Sequence, residues 1–147
     1  MSKVKALYHI VFCTKSRCMT IPKTKLEDLY RFIWAEIRER KCKLIRIGGI
    51  GNHVHMLIDL NPTVALSELI KAIKAKSSGW LRSNPDFPDF ESWASEYYAC
   101  TLSPDDEPKV IEYIKGQYDH HTRKSFEEEL QSLHGFAGLT IHNGDMV

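Results

Sequence analysis

The alternation of apolar and polar residues changes period several times along the chain, and each change marks an element. Residues 4–14, "VKALYHIVFCT", are rich in β-branched and aromatic side chains and predict a strand, bounded by the basic turn "KSRCMTIPK". Thr24, with Glu27 three residues on, has the pattern of a capping box. From it runs "KLEDLYRFIWAEIRERK", in which Leu26, Leu29, Tyr30, Ile33, Trp34 and Ile37 fall at helical spacing. "CKLIRIGGI" (42–50) alternates as a strand does, and Gly51-Asn52 is a hairpin-type turn into a third strand over 53–60. Pro62 ends that strand. A second amphipathic helix is predicted over 65–82, with Leu66, Leu69, Ile70, Ile73 and Trp80 on its apolar side. A loop containing Pro and Asp (83–90) leads to a fourth strand in "SEYYACTLS" (95–103). Asp105, Asp106 and Pro108 suit a helix N-terminus and open a helix through 121. A short acidic helix, "SFEEELQSLH", and a Gly-containing tail over 135–147 follow.

The order β-α-β-β-α-β predicts an α+β fold, the ferredoxin-like sandwich. Its four-stranded antiparallel sheet would carry helices on one face, with an added C-terminal helix bearing Tyr113. A chain of 147 residues is expected to form one domain over 1–134, followed by a flexible tail. The apolar runs are too short to span a bilayer and the first residues lack a signal-peptide cleavage region, so a cytoplasmic location is expected. Four scattered cysteines without CxxC pairing read as reduced thiols.

Charge changes this picture. The net of +1 conceals 16 Lys and Arg against 6 Asp and Glu in residues 1–82, and 4 against 13 in residues 83–147. A polyanion-binding face in the first part of the chain explains that split. Two solvated surfaces that attract each other explain it equally well.

Candidate chemistry begins at "GNHVHMLIDL" (51–60). Side chains alternate across a strand, so His53, His55, Leu57 and Asp59 share one face and Val54, Met56, Ile58 and Leu60 the other. The second set is wholly apolar and belongs beneath the helices. The histidines are therefore expected on the face the sheet leaves open, close enough to chelate one cation. The plainer alternative is a pair of half-exposed strand histidines making hydrogen bonds. Two histidines also need a further ligand, and Tyr113 and Gln117, four apart, stack on one face of the last helix. Gln offers a carbonyl oxygen and Tyr a nucleophilic hydroxyl. Taken alone, Tyr113 reads more simply as packed with Val110 and Ile114, and Gln117 as a surface residue.

Together these residues resemble the single-tyrosine HUH transposases of small bacterial and archaeal insertion sequences, U denoting a hydrophobic residue. The similarity runs in order through "YHIVFCTKSR" (8–17), "GNHVHMLI" (51–58), "IKAKSS" (73–78), "YYACTLS" (97–103), "YIKGQYDHH" (113–121) and "SFEEEL" (125–130). It departs at "SEYYA" (95–99), where relatives commonly carry a Gly-Tyr-type pair, which puts the local backbone there in question. The resemblance implies that His53, His55 and Gln117 bind a divalent metal, Mg²⁺ or Mn²⁺ before Zn²⁺, and that Tyr113 is the nucleophile. It implies cleavage and rejoining of single-stranded DNA through a 5′-phosphotyrosine, with imperfect hairpins recognised near the element's ends. It also implies a homodimer whose tyrosine helices act in trans, without membrane or nucleotide cofactor.

The basic segments suit the same substrate: Lys15 and Arg17 after the first strand, and Lys71, Lys74, Lys76 and Arg82 on the second helix, as phosphate contacts beside the metal face. Phe12, Tyr97 and Tyr118 are candidates for stacking on unpaired bases. His120 and His121 read as phosphate contacts or helix C-terminal caps. A non-catalytic or domesticated nucleic-acid-binding protein acting on palindromic repeats is the alternative, although the central strands lack the aromatic signature of RNA-recognition sheets. A generic metal-dependent hydrolase leaves Tyr113 and the basic segments unexplained.

Overall fold

In a computed structural model, residues 2–116 are described. Strand β1 (Leu7–Cys13) leads to helix α1 (Leu26–Glu39), the hairpin β2 (Lys43–Ile50) and β3 (His53–Asp59), helix α2 (Leu66–Ser83), strand β4 (Tyr98–Thr101) and helix α3 (Glu107–Lys115). The strands lie in the order β2-β3-β1-β4, and every neighbouring pair is antiparallel. This is the ferredoxin-like order expected from the sequence. Residues from 117 onward, including Gln117, Tyr118, His120, His121, the acidic helix and the 135–147 tail, lie outside the described residues.

The two crossover helices share one face. Ile10, Phe12, Val54, Met56 and Ile58 of the sheet meet Leu29, Ile33, Ile37, Ile70 and Ile73 of α1 and α2 in the main core, where each fully buried aliphatic side chain stabilises the fold by roughly 1.5–3 kcal/mol. The 84–97 connection is part of that core, since Phe87, Phe90 and Trp93 are buried in it. The Trp93 indole donates to Ser77 Oγ at 2.9 Å, and that hydroxyl donates to the Ile73 carbonyl at 2.6 Å, so both buried polar groups are satisfied.

Three local expectations are corrected. The capping box does not form: a 3₁₀ turn at Lys23–Lys25 absorbs Thr24, and Lys25 takes the N-cap position without a side-chain bond. The fourth strand has only four residues, and Lys74 Nζ ties the stretch before it to α2 by donating to the Ala94 and Glu96 carbonyls at 2.8 Å each. The sheet's other face is also not open. Helix α3 lies across it, with Val110 and Ile114 buried against Leu57.

Candidate active site

Alternation along β3 turns Val54, Met56 and Ile58 into the main core and His53 and His55 toward the α3 side. Both histidines are buried there, His55 completely. The hairpin register places His55 opposite Gly48 on β2 and opposite Val11 on β1. Gly48 lets helix and strand approach closely, because a Cβ on it would lie 2.5 Å from the Ile114 carbonyl oxygen. The backbone of α3 thus rests directly on β2 and carries Tyr113 over the histidines. The Tyr113 and His55 rings meet edge to face, with centroids 5.4 Å apart.

A third histidine, which the strand pattern alone does not single out, completes the cluster. His9 on β1 is fully buried. Its Nε2 is 2.8 Å from His55 Nδ1, and its ring centroid is 5.9 Å from that of Tyr113. The available signal was strand period: His9, Val11 and Cys13 alternate with Ile10 and Phe12, which face the core.

His53 is held from the other end of the motif. Its Nδ1 is 2.7 Å from Asn52 Oδ1, while Asn52 Nδ2 donates to the Arg17 carbonyl at 3.2 Å. That second bond orients the amide, so its oxygen faces His53 and accepts from Nδ1–H. The ring lone pair of neutral His53 therefore lies on Nε2. The Arg17 carbonyl is presented by a turn whose Ser16 and Arg17 have φ of 56° and 54°, a left-handed conformation uncommon outside glycine.

These donors fit a metal. A cation about 2.1 Å from one nitrogen of each of two imidazoles sets their centroids about 5 Å apart, and His53 and His55 stand at 4.9 Å with planes 73° apart. Among the described residues, no three His, Cys, Asp or Glu side chains form a candidate metal-binding group. A cation between the two histidines would thus draw on a donor of another kind.

Tyr98 on β4 borders the cluster, its ring 6.2 Å from His9. Burial, together with Cys100 and Tyr113 nearby, pushes its phenol well above the usual tyrosine range, so it stays protonated. Tyr113 is only partly buried.

The expected phosphate contacts fall on two sides of the sheet. Lys15 and Arg17 lie at the end of β1, beside Asn52. Lys15 is exposed and bonded to Glu91 at 2.9 Å, a contact that raises its pKa. Lys71, Lys74, Lys76 and Arg82 ride on α2 and so lie across the sheet from His53 and His55, not beside them. Both crossover helices must pack on the same face, which is the physical reason. Lys71, Lys76 and Arg82 are exposed. Lys74 is partly buried beneath the Phe12 and Tyr97 rings, and burial lowers its pKa. A groove of about 560 Å³ runs here, lined by Lys71, Lys74, Ser78, Arg82, Trp93 and Tyr97. Tyr97 is exposed, as stacking would require, whereas Phe12 is sealed in the core.

Comparison with known proteins places this geometry. Residues 2–117 match the family model described as "Transposase IS200 like". The chain is 25% identical over 122 residues to the ISDra2 transposase TnpA of Deinococcus radiodurans, covering 76% of this chain and 84% of that protein. It is 26% identical over 119 residues to the transposase for insertion sequence element IS200 of Salmonella typhimurium, covering 76% of each. Among solved structures, a transposase from Deinococcus radiodurans superposes with a TM-score of 0.62 at 20% identity, over 79% of this chain and 93% of that one. A REP-associated tyrosine transposase bound to a REP hairpin superposes at 0.64 and 15% identity, over 99% and 97%. No helix among the described residues is long and apolar enough to cross a membrane. With a family match that spans most of its length and the fold of two solved transposases, the chain belongs to the IS200-like transposase family.

Proposed function

We propose that this transposase cleaves and rejoins single-stranded DNA through Tyr113, assisted by a divalent metal at His53, His55 and Gln117. The observation that carries the proposal is the edge-to-face contact of the Tyr113 ring with the ring of His55, one of a pair of histidines spaced for one cation. The Tyr113 oxygen attacks phosphorus, losing its proton as the P–O bond forms. The 3′ oxygen leaves and takes up a proton, giving a free 3′-OH and a 5′-phosphotyrosine. The covalent bond conserves the phosphodiester's energy, so a second strand's 3′-OH reverses the step and reseals without ATP. Mg²⁺ or Mn²⁺, when bound, would neutralise the non-bridging phosphate oxygens and orient the phosphorus for in-line attack. Gln117, four residues after Tyr113 in the sequence, supplies the third donor in this reading. The protein acts as a homodimer and recognises imperfect hairpins near the element's ends. The packing of Tyr113 on its own chain's His55 supports a tyrosine acting within its own subunit, in place of the exchange in trans expected from the resemblance. Lys71, Lys76 and Arg82 contact the hairpin phosphates on the α2 side, while Lys15 and Arg17 guide the strand toward the histidines.

The deciding experiment mixes protein, Mn²⁺ or Mg²⁺, and a labelled single strand carrying the gene's own flanks on a denaturing gel. A metal-dependent covalent band that disappears in Tyr113→Phe, with hairpin binding retained, is the expected result. Undiminished cleavage by Tyr113→Phe overturns the assignment of the nucleophile.

A second reading keeps the chemistry and changes the biology. The superposition over 99% of the chain on a REP-associated transposase bound to a REP hairpin favours a host-resident or domesticated protein acting on palindromic repeats. End hairpins flanking the gene would point to a mobile element, and scattered palindromes to this second reading.

A further inference from the structure

We infer that His9 is a positioning residue: it accepts a hydrogen bond from His55 Nδ1–H and thereby holds His55 in the tautomer that offers Nε2 to a metal. The inference rests on the metal reading proposed above, but the tautomer it assigns exists without metal.

His9 and His55 are both completely enclosed, and their ring nitrogens lie 2.8 Å apart. Two charged imidazoliums at that distance would repel in a low-dielectric setting, and neither would have an acceptor for the other's proton. One proton is therefore shared between the two facing nitrogens, in one of two arrangements. If His9 donates, His55 Nδ1 accepts and its proton sits on Nε2, where it blocks coordination. If His55 donates, its Nε2 carries the lone pair, and His9 carries its own proton on Nδ1.

His53 selects between them. Asn52 Oδ1 can only accept, so Nδ1–H is fixed on His53 and its lone pair is on Nε2. With the neighbouring ring centroid 4.9 Å away, the two motif histidines become equivalent ligands only when His55 donates to His9. Each then has its Nδ1–H on a side-chain acceptor, the arrangement by which metal-ligating histidines are generally oriented. His9 also touches the Tyr113 ring, so one side chain sets the angle of the metal ligand and supports the tyrosine beside it.

The test uses the full-length chain, ¹⁵N-labelled on histidine, and the variants His9→Gln and His9→Phe. Ring nitrogen shifts are recorded without metal at mildly alkaline pH, where imidazoles are neutral. His55 is assigned by its loss in His55→Ala. In the wild type, Nδ1 of His55 should be pyrrole-like and Nε2 pyridine-like. His9→Phe should mix the tautomers, and His9→Gln, whose carbonyl oxygen can accept, should restore them. Titration with Mn²⁺ should show weakening of about 10- to 100-fold in His9→Phe, largely rescued in His9→Gln. A pyridine-like Nδ1 on His55 in the wild type overturns the inference, as does unchanged Mn²⁺ affinity in a folded His9→Phe. Absence of Mn²⁺ binding by the wild type, with the expected tautomer present, refutes the metal reading and leaves the His9–His55 bond standing.

Discussion

Gly48 and Ile114 touch backbone to backbone: a Cβ on Gly48 would come within 2.5 Å of the Ile114 carbonyl oxygen. This approach seats α3 on the sheet at the register position opposite His55, one residue from Tyr113. Gly48→Ala must push α3 away, and overpacking of this kind costs about 1–3 kcal/mol. The expected outcome is a protein that still binds hairpin DNA through α2 but forms covalent adduct at least about tenfold more slowly, since misplacing a reacting group is expensive. Adduct kinetics beside hairpin affinity test it. Equal loss of both would mean that Gly48 matters to the fold as a whole.

Asn52 links the basic turn to His53, accepting from its ring and donating to the Arg17 carbonyl. Asn52→Ala removes both bonds and should weaken Mn²⁺ binding about tenfold or more. Asn52→Asp keeps the acceptor facing His53 but sets a carboxylate oxygen against the Arg17 carbonyl, so it should retain most of the affinity while loosening the turn. Calorimetric titration of the two variants separates orientation of His53 from support of the turn. Equal losses would place the effect in the turn.

The strand periods made much of this legible. Val54, Met56 and Ile58, alternating with His53 and His55, told which face of the third strand meets the main core, and the β-α-β-β-α-β order followed from where period 2 gave way to period 3.6. What escaped depends on contacts between distant segments. Nothing local distinguishes His9 from any strand histidine until β1 is laid beside β3. Gly48 in "RIGGI" signals close backbone approach, as glycine inside a strand does, but not that Ile114 is what approaches. The side of the sheet taken by α3 was likewise hidden, because its Val110 and Ile114 suit either face. Lys74 looked like its neighbours Lys71 and Lys76, and only the return of the 91–97 segment reveals that its ammonium is held by carbonyls.

The α2 cations lie across the sheet from the histidines, so the proposed hairpin contacts and the proposed chemistry can be tested separately. Arg82→Ala and Lys71→Ala should weaken hairpin binding to a similar degree for any hairpin sequence. Each cation removed from a phosphate should make the slope of log affinity against log salt shallower by about 1. Mn²⁺ affinity should stay at the wild-type value. Fluorescence anisotropy across a salt series, with metal titration in parallel, checks both halves. A change in metal affinity would mean that α2 and the histidine site are coupled through the sheet.

Lys74 should behave differently from those neighbours. Its ammonium donates to two carbonyls, Ala94 and Glu96, at 2.8 Å each, so Lys74→Met leaves both without that donor and should destabilise the fold by about 2 kcal/mol. Its pH dependence has a definite sign. Burial lowers the folded pKa below the ordinary 10.5, so between these values the unfolded chain holds more protons than the folded one. The stability owed to Lys74 therefore rises with pH across that window and levels off above 10.5. Urea unfolding of wild type and Lys74→Met over the alkaline range isolates this contribution, since the other titrating groups cancel in the difference. A difference that shrinks as pH rises would mean that the charged ammonium is worth more to the fold than its burial costs.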